Sequence, residues 1–263
     1  GSEMCIRDRC DYTHSKGIDF TSTPFDYISA DYLEDMVDFY KISSSDLSNI
    51  PFIKHIAQKG KKMIVSVGAA YLSEVDEAIR AIMETGNNDI AILHCVLSYP
   101  TSPKDANLKV IQTLKRTFPD VQIGYSDHVA PDENMQTLAT AYFLGAEIIE
   151  KHFTLDKSLT GNDHYHSGDP SDFKKAVANF KWVDQVLGSG NKTVLDCELV
   201  PRKEARRSLV LTRDMKAGEV IEKTDIMPKR PGTGISPDFA QIVIGRKVLQ
   251  DLQEDTILTW NMI

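Results

Sequence analysis

Over most of its length the chain alternates short apolar, often β-branched runs with longer stretches in which apolar residues recur every three or four positions. The runs Ile18–Ser22, Phe39–Ser43, Met63–Val67, Ile90–Cys95, Val121–Tyr125 and Glu147–Glu150 read as strands. Helices are predicted over Tyr27–Met36, Asn49–Gln58, Asn107–Phe118, Glu133–Leu144 and Ser171–Leu187, with another between Ser73 and Gly86. Pro51 suits the first turn of its helix, and Ser73 with Asp76 three residues later reads as a cap. Phe173, Val177, Phe180 and Val183 or Val186 form the stripe of the last helix. Six strand–helix units in succession imply an α/β domain with parallel pairing and right-handed crossovers.

The rhythm breaks at Gly188-Ser189-Gly190-Asn191-Lys192, and residues 188–205 read as a linker. From Arg206 to Ile263 only short β-like pieces remain, at Ser208–Leu211, Val220-Ile221, Arg246–Leu249 and Ile257–Trp260. They predict a second, strand-rich domain of a size that still folds. Gly1 to Arg9 shows neither period and reads as a foreign or disordered leader, which leaves residues 10–187 to the first domain.

A net charge of -8 and a pI near 5.4 argue against a nucleic-acid backbone or an anionic membrane surface as the main partner. With no apolar run of membrane-spanning or signal-peptide kind, the cytoplasm is the expected location. Cys5, Cys10, Cys95 and Cys197 lack metal-ligand spacing and read as reduced thiols, Cys95 as a small core residue.

Each predicted strand ends in small polar or charged residues. These ends are Thr21-Ser22-Thr23, Lys41 with Ser43 to Asp46, Ser66 with Gly68, His94 with Ser98 and Tyr99, Ser126-Asp127-His128, and Glu150-Lys151-His152. Parallel strands end on one face, so these residues converge. Hydroxyls with lysines suit a phosphate or carboxylate, and His128 with His152 suits a borderline divalent metal acting as a Lewis acid while carboxylates handle protons. A single histidine more often satisfies a local partner; two at neighbouring strand ends, flanked by Ser126, Asp127, Glu150 and Lys151, point to a site. The loop Asp163-His164-Tyr165-His166 is a rival ligand set.

Five segments carry a resemblance. Phe20-Thr21-Ser22-Thr23-Pro24-Phe25-Asp26, Tyr40-Lys41-Ile42-Ser43-Ser44, Gly124-Tyr125-Ser126-Asp127-His128, Glu150 to Asp156 and Lys229 to Pro237 resemble, in order, the sialic acid synthase (N-acetylneuraminate synthase) family. The resemblance implies a (β/α)8 TIM barrel followed by a small antifreeze-like (SAF) domain, in a domain-swapped homodimer. It implies a transferase that condenses phosphoenolpyruvate with an open-chain N-acetylated amino sugar, such as N-acetylmannosamine, giving a nonulosonic acid and phosphate. Divalent metal, Mn2+ or Mg2+, would be held by His128 and His152. Thr23, Lys41, Ser44, Ser66 and Ser126 would hold phosphoenolpyruvate, and Tyr99, Glu150 and Asp163 would face the sugar. Arg230 would reach the sugar in the partner's site; Asp46, Glu150 and Lys151 are the expected catalytic groups.

In this reading the barrel lacks the family's first two βα units, which carry a catalytic glutamate and a phosphoenolpyruvate-binding lysine, so impaired turnover is expected. A barrel with two strands fewer exposes sheet edges. Val96-Leu97-Ser98 and Val67-Gly68-Ala69-Ala70 also depart from the family pattern, and make legionaminic or pseudaminic acid as plausible a product as sialic acid. Two alternatives stand beside this reading: a metal-dependent isomerase or aldolase acting on sugar phosphates, and an inactive fragment that binds a sugar or partner chain.

Overall fold

The computed structural model describes residues 3–263, which leaves Gly1 and Ser2 of the expected leader outside the described residues. The chain divides into two compact units, the first ending at Gly188 and the second running from Ser189 to Ile263.

In the first unit, helix α1 (Glu3–Ser15) runs across Arg9, where the sequence suggests a boundary between leader and domain. Then follow α2 (Tyr27–Leu33), β1 (Tyr40–Ile42), α3 (Ile50–Ala57), β2 (Met63–Ser66), α4 (Leu72–Met83), β3 (Ile90–His94), α5 (Lys109–Thr117), β4 (Gln122–Asp127), α6 (Gln136–Phe143), β5 (Ile149–Lys151) and α7 (Pro170–Leu187). The strands form one five-stranded parallel sheet in the order β1-β2-β3-β4-β5. Pairings such as Val65↔Ile92, Ile92↔Ile123 and Tyr125↔Ile149 fix its register. Ile92 and Ile123 are fully buried, as expected of strands covered on both faces.

The count of strands differs from the expected six. Residues 18–22 run beside the start of β1 without joining the ladder. One backbone bond, from Asp38 N–H to the Phe20 carbonyl (2.9 Å), joins them, while the Phe20 N–H is taken by the Asp38 carboxylate at 2.8 Å and Thr21 Oγ1 donates to the Phe39 carbonyl. Side chains thus satisfy groups that a strand would commit to its neighbour.

Helix ends show similar substitutions. At α4 the Tyr71 N–H donates to Glu74 Oε2 at 2.7 Å, so Glu74 closes the helix start, and Asp76 instead pairs with Arg80 one turn on. At α7, Asp169 accepts from the Ser171 and Asp172 N–H groups; Val183 turns inward, while Val177 and Val186 face solvent. Gly124 is dictated by packing. A Cβ there would lie 2.4 Å from the Ile148 carbonyl oxygen and 2.5 Å from Leu93 Cδ2, so only glycine lets β5 approach β4.

The second unit contains α8 (Leu199–Ala205), β6 (Ser208–Leu211), β7 (Ile226–Lys229) and α9 (Ala240–Val243). Part of the stretch expected to be linker is therefore helical. Strands β6 and β7 pair antiparallel, Leu209 opposite Pro228. Strand β7 lies outside the β-like pieces read from the sequence; Pro228 is tolerated there because it holds a non-hydrogen-bonded position, the Leu209 N–H donating to the Ile235 carbonyl and the Leu209 carbonyl accepting from the Leu258 N–H. Val220, Lys247 and Ile257, expected within strands, form isolated bridges instead. Leu209, Leu211, Ile221, Val243 and Leu258 make a separate core.

Candidate active site

Side chains alternate along a strand, so residues at the ends of β4 and β5 divide between two faces. Ser126 pairs in register with Glu150, and Asp127 with Lys151. Ser126, His128, Glu150 and His152 face a cavity of about 290 Å3 at the strand ends. Asp127 and Lys151 do not. The Lys151 ammonium is buried and pairs with Asp127 Oδ2 at 2.9 Å; Asp127 Oδ1 accepts from the Tyr125 hydroxyl (2.9 Å) and the Val129 N–H (3.0 Å). Lys151, expected to be catalytic, thus lies in a buried ion pair with Asp127 and outside the lining of the cavity. The two-residue period contained that signal, since Lys151 must point opposite to Glu150.

Within the cavity, Lys41 Nζ donates to Ser66 Oγ at 2.8 Å and lies 3.5 Å from Glu150 Oε2. Ser126 Oγ donates to Glu150 Oε1 at 2.6 Å. Thr23 and Ser44 complete this wall, together with Phe25, Ser43 and Cys95. Burial pushes the Cys95 thiol up, so it stays protonated and packs rather than attacks, as its apolar surroundings suggest. One ammonium among several hydroxyls is a fitting enclosure for a small anion.

A second hollow, of about 510 Å3, adjoins the first and shares Tyr99 and His152 with it; Asn162, Asp163 and Tyr165 provide its other side. The Tyr165 hydroxyl donates to the Tyr99 carbonyl at 3.2 Å, which ties the loop after β5 to the strand ends. Asn162 escapes the sequence reading because it lies in a loop without periodicity, whereas Phe25 and Tyr165 stand within segments the sequence singles out but gives no role of their own.

Four aromatic rings line the junction. Tyr99 lies 4.1 Å from His128, His128 5.4 Å from His152, and His152 5.1 Å from His166, between ring centroids. His128 Nδ1 donates to the Val96 carbonyl at 2.7 Å, and since a carbonyl can only accept, the lone pair is on Nε2. Burial, reinforced by the neighbouring His128, lowers the pKa of His152; burial also lowers that of His166. Neutral imidazoles with free lone pairs are the donors a borderline divalent ion takes, so the residues fit the expected metal. His152, Asp163 and His166 bring ligand atoms within 4.8 Å of one another. The site thus draws on both ligand sets seen in the sequence.

Two further expected residues have local partners of their own. Asp46 occupies a single 3-10 turn after β1, near Asn49 Nδ2, and does not line the cavity. Arg230 belongs to the second unit, where its Nε donates to the Ala205 carbonyl at 3.0 Å.

A curled parallel half-barrel with polar groups gathered beyond its strand ends defines an α/β, TIM-barrel-like enzyme. Residues 4–192 match the NeuB family and residues 206–263 the SAF domain. An N,N'-diacetyllegionaminic acid synthase of Legionella pneumophila is 41% identical over 95% of this chain and 70% of its own length. An N-acetylneuraminate-9-phosphate synthase of Drosophila melanogaster is 34% identical over 94% of this chain and 72% of its own. The crystal structure of the spore coat polysaccharide biosynthesis protein SpsE of Bacillus subtilis superposes with a TM-score of 0.66 at 34% identity, covering 99% of this chain and 77% of that one. The chain belongs to the NeuB family. It is a transferase that makes sugar acids.

Proposed function

We propose that the chain condenses phosphoenolpyruvate with an open-chain N-acetylated amino sugar to form a nonulosonic acid and inorganic phosphate. The observation that carries this reading is the joining of two hollows at Tyr99 and His152: one lined by Lys41, Ser66 and Ser126, the other by Asn162, Asp163 and Tyr165. A condensation needs two substrates held edge to edge, and this arrangement supplies an anion seat beside a polar, aromatic-walled one.

Lys41, with the hydroxyls of Thr23, Ser44, Ser66 and Ser126, binds the phosphate and carboxylate of phosphoenolpyruvate. Glu150, held between Lys41 and Ser126, orients that seat toward the sugar and excludes a second anion from the junction by its own charge. Tyr99 and Asp163 hold the sugar's hydroxyls. A divalent ion at His128 and His152, Mn2+ or Mg2+, supplies Lewis-acid polarisation of the sugar aldehyde when bound. Carbon three of phosphoenolpyruvate forms the new bond to the aldehyde carbon, water adds at carbon two, and phosphate leaves with its bridging oxygen.

N,N'-diacetylated sugars leading to legionaminic acid are favoured as acceptors by the 41% identity to the Legionella synthase, with N-acetylmannosamine second. The same reading includes a domain-swapped homodimer in which Arg230 serves the partner's sugar site, and a cytoplasmic location; among the described residues no helix is long and apolar enough to cross a membrane. Among the described residues the parallel sheet ends at β1 and β5 without closing into a barrel, and turnover by the 263-residue polypeptide is expected to be weak.

Phosphate release from phosphoenolpyruvate with Mn2+ and each N-acetylated sugar tests the reading, on this chain and on one extended by two N-terminal βα units. Sugar-dependent release, stronger in the extended chain, supports it. No release by either chain with any such sugar refutes it.

A further inference from the structure

The stretch expected to be a plain linker builds a hollow of its own in the second unit. Residues 192–194 and one face of the turn Asp196–Glu198 and α8 together bound about 550 Å3. Glu198, Pro201, Arg202, Ala205 and Arg206 line it at positions i, i+3, i+4, i+7 and i+8, which is one side of a helix.

The charges in this hollow do not balance. Lys192, Arg202 and Arg206 stand against one carboxylate, Glu198, whose Oε2 already accepts from the Leu195 N–H at 3.0 Å. Elsewhere in the unit cations are matched: Arg213 pairs with Glu219 and Asp225, Lys216 with Asp251, and Lys229 with Asp255. Among the described residues, Lys192, Arg202 and Arg206 form no ion pair. Arg202 and Arg206 also stand at the i, i+4 spacing at which like charges destabilise a helix. A local rule broken without a partner in the chain points to a ligand that offsets the repulsion. The wall that carries them is fastened from behind. Arg230 Nε donates to the Ala205 carbonyl at 3.0 Å and the Gly232 N–H to the Lys203 carbonyl at 2.8 Å. A Cβ at Gly232 would lie 2.7 Å from Arg206 Cβ, so glycine lets residues 230–232 pack against the end of α8.

We propose that this hollow binds the phosphate monoester of a small hydroxylated molecule, a sugar phosphate or a mononucleotide. Guanidinium groups take phosphate oxygens in pairs, and Lys192 adds a point charge. Glu198 Oε1 and Thr193 are left to bond the ligand's hydroxyls, and Val194 with Pro201 supplies an apolar wall. A volume of this size suits a small molecule, and a chain of net charge -8 opposes a nucleic acid or an anionic membrane. The site is separate from the anion seat at Lys41, which lies in the first unit, so the failure of either reading leaves the other standing.

The test is protection of the full-length chain from phenylglyoxal, which modifies guanidinium groups, with the labelled arginines located by peptide mass spectrometry. Saturating glucose 6-phosphate or adenosine monophosphate should slow labelling of Arg202 and Arg206 roughly ten-fold and leave exposed Arg116 of the first unit unchanged. Unphosphorylated glucose and adenosine should not protect. Protection by only one ester supports the proposal and identifies the skeleton. Calorimetry in a Lys41→Met chain, where the strand-end seat is weakened, should show ester binding reduced roughly ten-fold or more by Arg202→Gln with Arg206→Gln. Both arginines are exposed, so these substitutions spare the core. Labelling of Arg202 and Arg206 unchanged by either ester would overturn the proposal. So would equal protection by the unphosphorylated compounds, or protection only by heparin or phosphatidylserine vesicles, which would make the hollow part of a macromolecular surface.

Discussion

Lys151→Met separates a structural from a catalytic lysine. The Lys151 side chain is 0% and that of Asp127 3% exposed, so removing the ammonium leaves a carboxylate buried without its counter-charge. Breaking such a pair costs about 3–5 kcal/mol. Asp127 retains the Tyr125 hydroxyl at 2.9 Å and the Val129 N–H at 3.0 Å, and charge-assisted bonds of this kind place the loss at the lower end, about 3 kcal/mol. With a urea slope of roughly 2–3 kcal/mol/M, the unfolding midpoint of the first unit should fall by roughly 1–1.5 M. Adding Asp127→Asn removes the stranded charge and should recover part of the loss. Urea melts of the two single variants and the double variant, followed by circular dichroism at pH 7, read this directly. A Lys151→Met chain with an unchanged midpoint but abolished phosphate release would refute the structural assignment.

Gly124→Ala should destabilise the first unit by about 3 kcal/mol, because the added Cβ meets a backbone carbonyl at 2.4 Å that cannot withdraw without loosening β5; a thermal melt within two degrees of wild type would contradict this. Lys41→Met should raise KM for phosphoenolpyruvate roughly ten- to hundred-fold with a smaller effect on KM for the sugar, and Ser126→Ala should do the same more weakly, as initial-rate measurements would show. Burial lowers the pKa of His94 from 6.5, and its Nε2 donates to the Ala106 carbonyl; the folded state therefore prefers the neutral ring. Its contribution to stability is complete above pH 6.5 and is lost as pH falls through the lowered folded value, so urea midpoints should decline from pH 7.5 to 5 and decline less in His94→Asn.

The sequence carried most of the first unit because its signals are local. The helical spacing in α3, α4 and α7 and the apolar runs of β2, β3 and β4 follow from which faces must be buried, and each element displays its own period. The strand-end chemistry was legible for a related reason: once the strands are parallel, Lys41, Ser66, Ser126, His128, Glu150 and His152 have to meet on one face. NeuB-family membership was likewise readable from five short segments in order.

Tertiary structure decided what no local period encodes. Residues 18–22 carry a strand pattern, but the Asp38 carboxylate takes the Phe20 N–H, and a competitor eighteen residues away is invisible to periodicity. Strand β7 contains Pro228, and only the pairing with β6 shows that its missing N–H is not needed opposite Leu209. His152 could be placed from its strand, whereas His166 and Asp163 reach it through an irregular loop whose path depends on contacts such as Tyr165 with Tyr99. Sequence alone determined which residues could do chemistry at the strand ends, because period and polarity are properties of neighbouring positions. Which of them share one site depends on side-chain direction and loop path, and those were fixed only when the chain packed.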